Sequence, residues 1–266
     1  MGFLSEILPE VLADLRAPGY DPPTSPPGPR PGFRAALEAG RDGAPLIAEF
    51  KRTSPGYGPG GWTARRTEEF LRQVDRPSVV ALSVLATRPR FGGSPSDVAA
   101  IAANSGRPVL FKDFVLTVRQ LDAARAAGAS AVLLIARCAR AAELERPLGD
   151  LADAAHARGL EVVLELHTEE ELREVDRVPA DVVGVNVRDL ETLSLEPSIA
   201  GRTLKAARDA GVRPLLGMSG IRGPEDAARL RAQGAHALLV GTALGRSDDP
   251  GRFLDSLTEP RAGGRP

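Results

Sequence analysis

Along most of this chain, short apolar runs alternate with segments of helical spacing. From residue 46 onward, runs rich in Val, Ile and Leu recur at 46–50, 79–85, 108–112, 131–136, 161–166, 182–187, 214–219 and 237–241. Their near-continuous apolar character suits strands of a parallel sheet covered on both faces. Between them lie TARRTEEFLRQV, SPSDVAAIAANS, TVRQLDAARAAG, TEEELREV and GPEDAARLRAQG, which read as helices, several of them stopped by Gly. Eight strands alternating with helices predict βαβ units closed into one α/β (β/α)8 barrel, a TIM barrel, over residues 46–258.

An internal echo supports closure. ARAAGASAVLLIA (124–136) and LRAQGAHALLVGT (230–242) share a helix end, a Gly-Ala joint and a strand, as in a barrel of two comparable halves. An open doubly wound sheet is the alternative, but no G-x-G-x-x-G follows the first strand. Ahead of the barrel, residues 3–16 read as an amphipathic helix, the proline-rich 17–32 as an extended loop and FRAALEAG as a short helix. Residues 1–45 are therefore expected to form an N-terminal helical extension, and 259–266 a disordered tail.

Composition narrows the function classes. The chain has 266 residues, 42% of them hydrophobic, enough for one barrel core. A net charge of −1 leaves no basic footprint for nucleic acid and no polybasic membrane anchor. No apolar run reaches the roughly 18 residues of a membrane span. The first residues lack the basic start of a secretory signal. The single cysteine, Cys138, forms no intramolecular disulfide. The expectation is a soluble cytoplasmic protein, a monomer or weak homodimer, without nucleic-acid or membrane partners.

Of 34 basic residues only three are lysines, Lys51, Lys112 and Lys205. Arginine serves wherever a cation alone is needed, so the lysines mark positions where an amine able to release a proton could matter. Lys205 sits in TLKAARDAG, an exposed helix face, and reads as structural. Lys51 and Lys112 each follow an apolar strand directly. In such barrels function collects at the C-terminal strand ends. Those ends also carry Glu49 and Glu165, carboxylates inside otherwise apolar strands, which a barrel interior tolerates only with partners. Glu49 and Lys51 are two apart and share a face. Two amines and two carboxylates at one rim can set an acid and a base at separate pKa values; structural ion pairs, with Lys51 or Arg188 as the cation, are the plain alternative.

The loops after the last two strands, MSGIRGPED and VGTALGRSDDP, hold Gly220, Gly241 and Thr242, donors suited to an anion, with Ser54 joining from the first loop. His156, His167 and His236 have no metal-like spacing; His167 follows the fifth strand and could reach the rim.

Taken together, IAEFKRTSP, ALSVL with FGGS, PVLFKDF, ARAAGASAVLLI, EVVLELHTEEEL, GVNVRDLETL, SGIRGPEDAARLRAQGAHALLVG and SDDP resemble the indole-3-glycerol-phosphate synthase family, in the family's order over about residues 46–250. The resemblance implies an extension covering the barrel mouth. It also implies ring closure, decarboxylation and dehydration of 1-(2-carboxyphenylamino)-1-deoxyribulose 5-phosphate without metal or organic cofactor. On that basis Lys112 is the general acid, Lys51 holds the substrate carboxylate, Glu165 is the base for dehydration and Glu49 orients the lysines. Asn186 and Ser219 bond reacting oxygens. Ser54, Gly220, Gly241 and Thr242 hold the phosphate, and Phe91, Phe114 and Arg188 complete the binding set. Three positions depart from the family pattern: Met218 stands where Glu is usual, Val187 follows Asn186, and ATRPRFGGS carries Arg88 and Arg90 in place of an acidic residue. Two alternatives follow: a secondary-metabolism paralogue taking a modified anthranilate derivative, and a non-catalytic barrel binding a phosphorylated ligand.

Overall fold

The eight apolar runs become eight parallel strands in a computed structural model that describes residues 2–17, 20, 31–39, 45–54, 58–59, 62 and 67–258. They are β1 (Leu46–Phe50), β2 (Val79–Leu85), β3 (Val109–Lys112), β4 (Ala131–Ile135), β5 (Glu161–Leu166), β6 (Val182–Asn186), β7 (Leu215–Met218) and β8 (Ala237–Val240). Each pairs with its sequence neighbours, and β1 closes the ring by pairing with both β2 and β8. Side chains alternate across the wall of this barrel. Leu46, Ala48, Phe50, Leu82 and Val84 point out to the helices, whereas Ile47, Ala81, Leu110, Leu133 and Leu239 fill the interior. Both faces are dry, so the strands carry almost no polar alternation.

The helices are α1 (Phe3–Arg16), α2 (Phe33–Glu38), α3 (Thr67–Gln73), α4 (Pro95–Ala103), α5 (Val118–Ala126), α6 (Leu148–His156), α7 (Pro197–Asp209), α8 (Pro224–Ala232), α9 (Thr242–Arg246) and α10 (Pro250–Ser256). The echoed joints are real. Gly128 (φ 82°) follows α5 and Gly234 (φ 118°) follows α8, a backbone conformation glycine adopts freely, and they feed β4 and β8, which stand four places apart in the eight-stranded ring. Trp62 packs against Phe50 of β1 and Phe70 of α3.

Two expected elements change form. TEEELREV folds as a 3-10 helix, Glu169–Glu174, because the Glu171 carboxylate turns back to accept from the His167 backbone N–H at 2.7 Å. The fourth strand stops at Ile135, and Ala136 opens another 3-10 helix, Ala136–Arg140.

The two N-terminal helices go to opposite ends of the barrel. Phe3, Leu4, Ile7, Leu8 and Val11 of α1 join the interior cluster together with Phe114, Leu116 and Leu190 at the strand C-termini. Arg90 pairs with Glu6 and Glu10, and Arg88 with Asp14, fastening α1 to the loop after β2. By contrast, the Phe33 and Arg34 backbone N–H groups donate to Glu161 at 3.0 and 2.6 Å, at the start of β5. The extension expected over the mouth is thus divided: α1 lies there, and α2 plugs the far end. Most of the expected loop over 17–32 and all of the expected tail over 259–266 lie outside the described residues. Among the described residues no helix is long and apolar enough to cross a membrane.

Candidate active site

A cavity of about 300 Å³ opens at the C-terminal ends of the strands. All thirteen residues singled out from the sequence reach it. Glu49, Lys51, Lys112, Glu165, Asn186 and Ser219 line it together with Ser54, Phe91, Phe114, Arg188, Gly220, Gly241 and Thr242. They come from seven of the eight strand ends, and barrel closure brings them together.

Two ion pairs organise the base of the cavity. Lys51 Nζ lies 2.7 Å from Glu49 Oε1, and Lys112 Nζ lies 4.0 Å from Glu165 Oε2. Glu49 and Glu165 are buried. Burial alone would raise the Glu49 carboxyl, but Lys51 and Lys112 outweigh it and hold the group below the usual carboxylate range. Glu165 experiences the same contest, and there Lys112, His167 and Asn186 bring its pKa down to about 2. Both carboxylates are therefore ionised at neutral pH. The alternative pairing of Glu165 with Arg188 does not form: the Arg188 guanidinium donates to the Leu193 carbonyl at 2.5 Å.

Local structure sets these side chains. Asn186 donates to Glu165 Oε1 at 3.1 Å while its own carbonyl oxygen accepts from the Arg188 N–H at 3.0 Å, which fixes the amide orientation. Behind Lys112, the buried Asp113 carboxylate accepts from Thr87, Tyr20, Gln120 and the Phe114 N–H at 2.6–3.0 Å. Four donors leave this carboxylate fully satisfied, so the loop after β3 is anchored next to the amine. A Cβ on Gly241 would lie 2.1 Å from Glu49 Oε1 and 3.1 Å from Lys51 Nζ, so only glycine lets that strand approach the pair. Ser219 (φ 65°) and Gly220 (φ 70°) are consecutive left-handed residues after β7, turning the chain along the cavity wall.

Met218 is buried on the same wall, and its Sδ would lie 2.9 Å from a Cβ placed on Gly184. The thioether thus occupies space that the glycine leaves open. The apolar wall is completed by Phe3, Leu133, Ile135 and Leu190, none of which stands out in the sequence.

Of a further set behind Glu165, the sequence points only to His167, as a residue able to reach the rim. His167 sits behind Glu165, its Nε2 3.3 Å from Glu165 Oε1 and its Nδ1 3.5 Å from Glu171 Oε2. Glu171 is paired with Arg137 at 3.0 Å, and Arg137 with Asp189 at 2.6 Å. Its link to Glu171 shows in the sequence only as an i, i+4 spacing; the arginine and aspartate arrive from other loops.

The family model for indole-3-glycerol phosphate synthase matches residues 16–257. A protein called indole-3-glycerol phosphate synthase from Nocardioides sp. is 40% identical over 216 residues, covering 81% of this chain and 80% of the relative. Indole-3-glycerol phosphate synthase 2 of Streptomyces coelicolor is 40% identical over 215 residues, 81% of each chain. The Methanopyrus kandleri protein of the same name is 38% identical over 221 residues, 82% of this chain and 84% of its own. Among solved structures, the N-acetylmannosamine-6-phosphate 2-epimerase of Clostridium perfringens superposes with a TM-score of 0.60 at 17% identity, over 82% of this chain and 93% of its own, a likeness of fold alone. By the family-model match over residues 16–257 and these relatives, the chain belongs to the indole-3-glycerol phosphate synthase family.

Proposed function

We propose that the protein converts 1-(2-carboxyphenylamino)-1-deoxyribulose 5-phosphate to indole-3-glycerol phosphate, carbon dioxide and water. The observation that carries this reading is the convergence of Lys51, Lys112, Glu49 and Glu165 on one cavity. The ring carbon bearing the carboxylate attacks the ketone carbon, and Lys112 gives its proton to the ketone oxygen, which becomes a hydroxyl. Loss of CO2 returns its bonding pair to the ring. Dehydration then needs a base and an acid at once. Glu165 removes the proton, and the hydroxyl leaves as water with a proton from Lys51.

The charges make this order reasonable. While Lys112 is an ammonium, it holds Glu165 strongly acidic and hence a poor base. Once Lys112 has given up its proton, that attraction disappears and the carboxylate becomes more basic when it is needed. Phe91, Phe114 and the other apolar residues flank the anthranilate ring and exclude water. Ser54, Gly220, Gly241 and Thr242 take the phosphate. Lys51 holds the substrate carboxylate, and Arg188 lines the same cavity.

Turnover of the carboxyphenylamino substrate, followed by the rise of indole fluorescence, tests the proposal. Wild type is expected to turn over, and Lys112→Ala to fall by about 10²–10⁴-fold in kcat, the usual contribution of a positioned proton donor. No turnover by folded wild type at saturating substrate would overturn it.

A further inference from the structure

We propose that His167 is a positioning residue for Glu165: lying between the Glu165 and Glu171 carboxylates, it fixes where Glu165 points and joins it to the loop that walls the cavity. This rests on the reading of Glu165 as the base.

The geometry is specific. The His167 side chain is 2% exposed and lies between Glu165 and Glu171, at 3.3 and 3.5 Å. Glu165 Oε1 faces both Asn186 and His167, which leaves Oε2, without a hydrogen-bond partner among the described residues, aimed toward Lys112. One oxygen is anchored and the other faces the Lys112 amine at 4.0 Å. Beyond His167 the charges alternate through Glu171, Arg137 and Asp189. Asp189 in turn accepts from the Glu191 and Thr192 N–H groups, each at 2.9 Å, and so shapes the loop that brings Leu190 and Leu193 to the cavity.

Neither ring nitrogen makes a hydrogen bond among the described residues, so the two contacts act as ion pairs, and only the imidazolium brings a charge that attracts both carboxylates. The groups facing His167 favour the charged ring. Glu165 lies on its own strand, and Glu171 on the following 3-10 helix. Arg137 and Cys138 come from the 3-10 helix after β4, and Lys112 acts from β3 through Glu165. Arg137 is already held by Glu171 and Asp189. Burial pushes the Cys138 thiol up to about 12, so it is neutral. Burial also works against the His167 cation, yet Glu165 and Glu171 lift its pKa to about 8.

Two measurements on the full chain test this. The three histidines are followed by NMR through pH, with His156→Gln and His236→Gln identifying the other two signals. His167 is expected to titrate above the ordinary histidine range in wild type and to fall by about one pH unit or more in Glu165→Gln, the effect of losing an adjacent opposite charge. An unchanged titration in Glu165→Gln overturns the proposal. This arm requires no activity, so it stands even if the proposed reaction fails. The second arm compares pH profiles of kcat and KM for wild type and His167→Gln. The variant is expected to lose about 10- to 100-fold in kcat, as for a small misplacement of a reacting group, with KM within about threefold. Wild type is expected to fall in rate as pH rises through 8, and the variant to lose that fall. A profile that superimposes on that of wild type, whatever its height, overturns the proposal.

Discussion

At the scale of single residues, the site is a set of charges that hold each other in place. Gly241 shows how tight the arrangement is. Gly241→Ala is expected to push Glu49 off Lys51, because the new Cβ would meet the carboxylate at 2.1 Å. Activity should drop about 10-fold or more while the circular dichroism spectrum stays that of the folded barrel. His167 also gives a prediction for stability. Its folded pKa of about 8 lies above the ordinary 6.5. The stabilisation is therefore fully present below pH 6.5 and is lost as pH rises through 8. Urea unfolding at pH 6 and pH 9 should show wild type losing on the order of 2 kcal/mol more than His167→Gln between the two. Equal losses in the two proteins would refute it. Much of this level was legible in sequence: lysines in an arginine-rich chain, and carboxylates inside apolar strands, stand out because each breaks a local rule. His167 was legible only as a residue able to reach the rim, since a histidine after a strand acquires meaning only from Glu171 and Arg137 beside it.

At the scale of elements, short helices depend on what they dock against. Helix α2 has six residues, too few for a stable isolated helix. Its first backbone N–H groups are satisfied by Glu161, a carboxylate from another element acting as the cap, and Phe33 is fully buried against the barrel floor. Glu161→Ala is expected to cost about 1–2 kcal/mol, like loss of an N-cap, and Phe33→Ala about 3–5 kcal/mol, both read from denaturant midpoints. The regular strands and most long helices were legible because periodicity and Gly stops are local signals. The 3-10 form of Glu169–Glu174 was not, because it follows from Glu171 reaching back to the strand end. The far-end position of α2 was not either, since nothing in FRAALEAG names its docking site.

At the scale of the whole molecule, α1 bridges the strand ends and contributes Phe3 to the cavity. Its attachment combines an apolar face with surface ion pairs to Arg88 and Arg90. Deleting residues 1–16 is expected to leave the closed sheet intact by circular dichroism, because α1 supplies none of the barrel's strand pairing. The truncated protein should bind more of a hydrophobic dye and show a raised KM, since the apolar wall near Phe114 and Leu190 loses its cover. An unchanged KM would show that α1 has no part in holding substrate.

By itself the sequence determined the eight-fold alternation of strand and helix, the rim residues and their chemical types, because hydrophobic period, glycine stops and isolated charges act over a few residues. Only the tertiary structure decided which charges face each other: the pairing of Lys112 with Glu165, the placement of His167 between two carboxylates, and the separation of α1 from α2. Lys112 meets Glu165, and Arg137 meets Glu171 and Asp189, across tens of positions. These contacts exist only because a closed sheet brings all its strand ends to one rim, and pairing across that ring is not encoded in any local pattern.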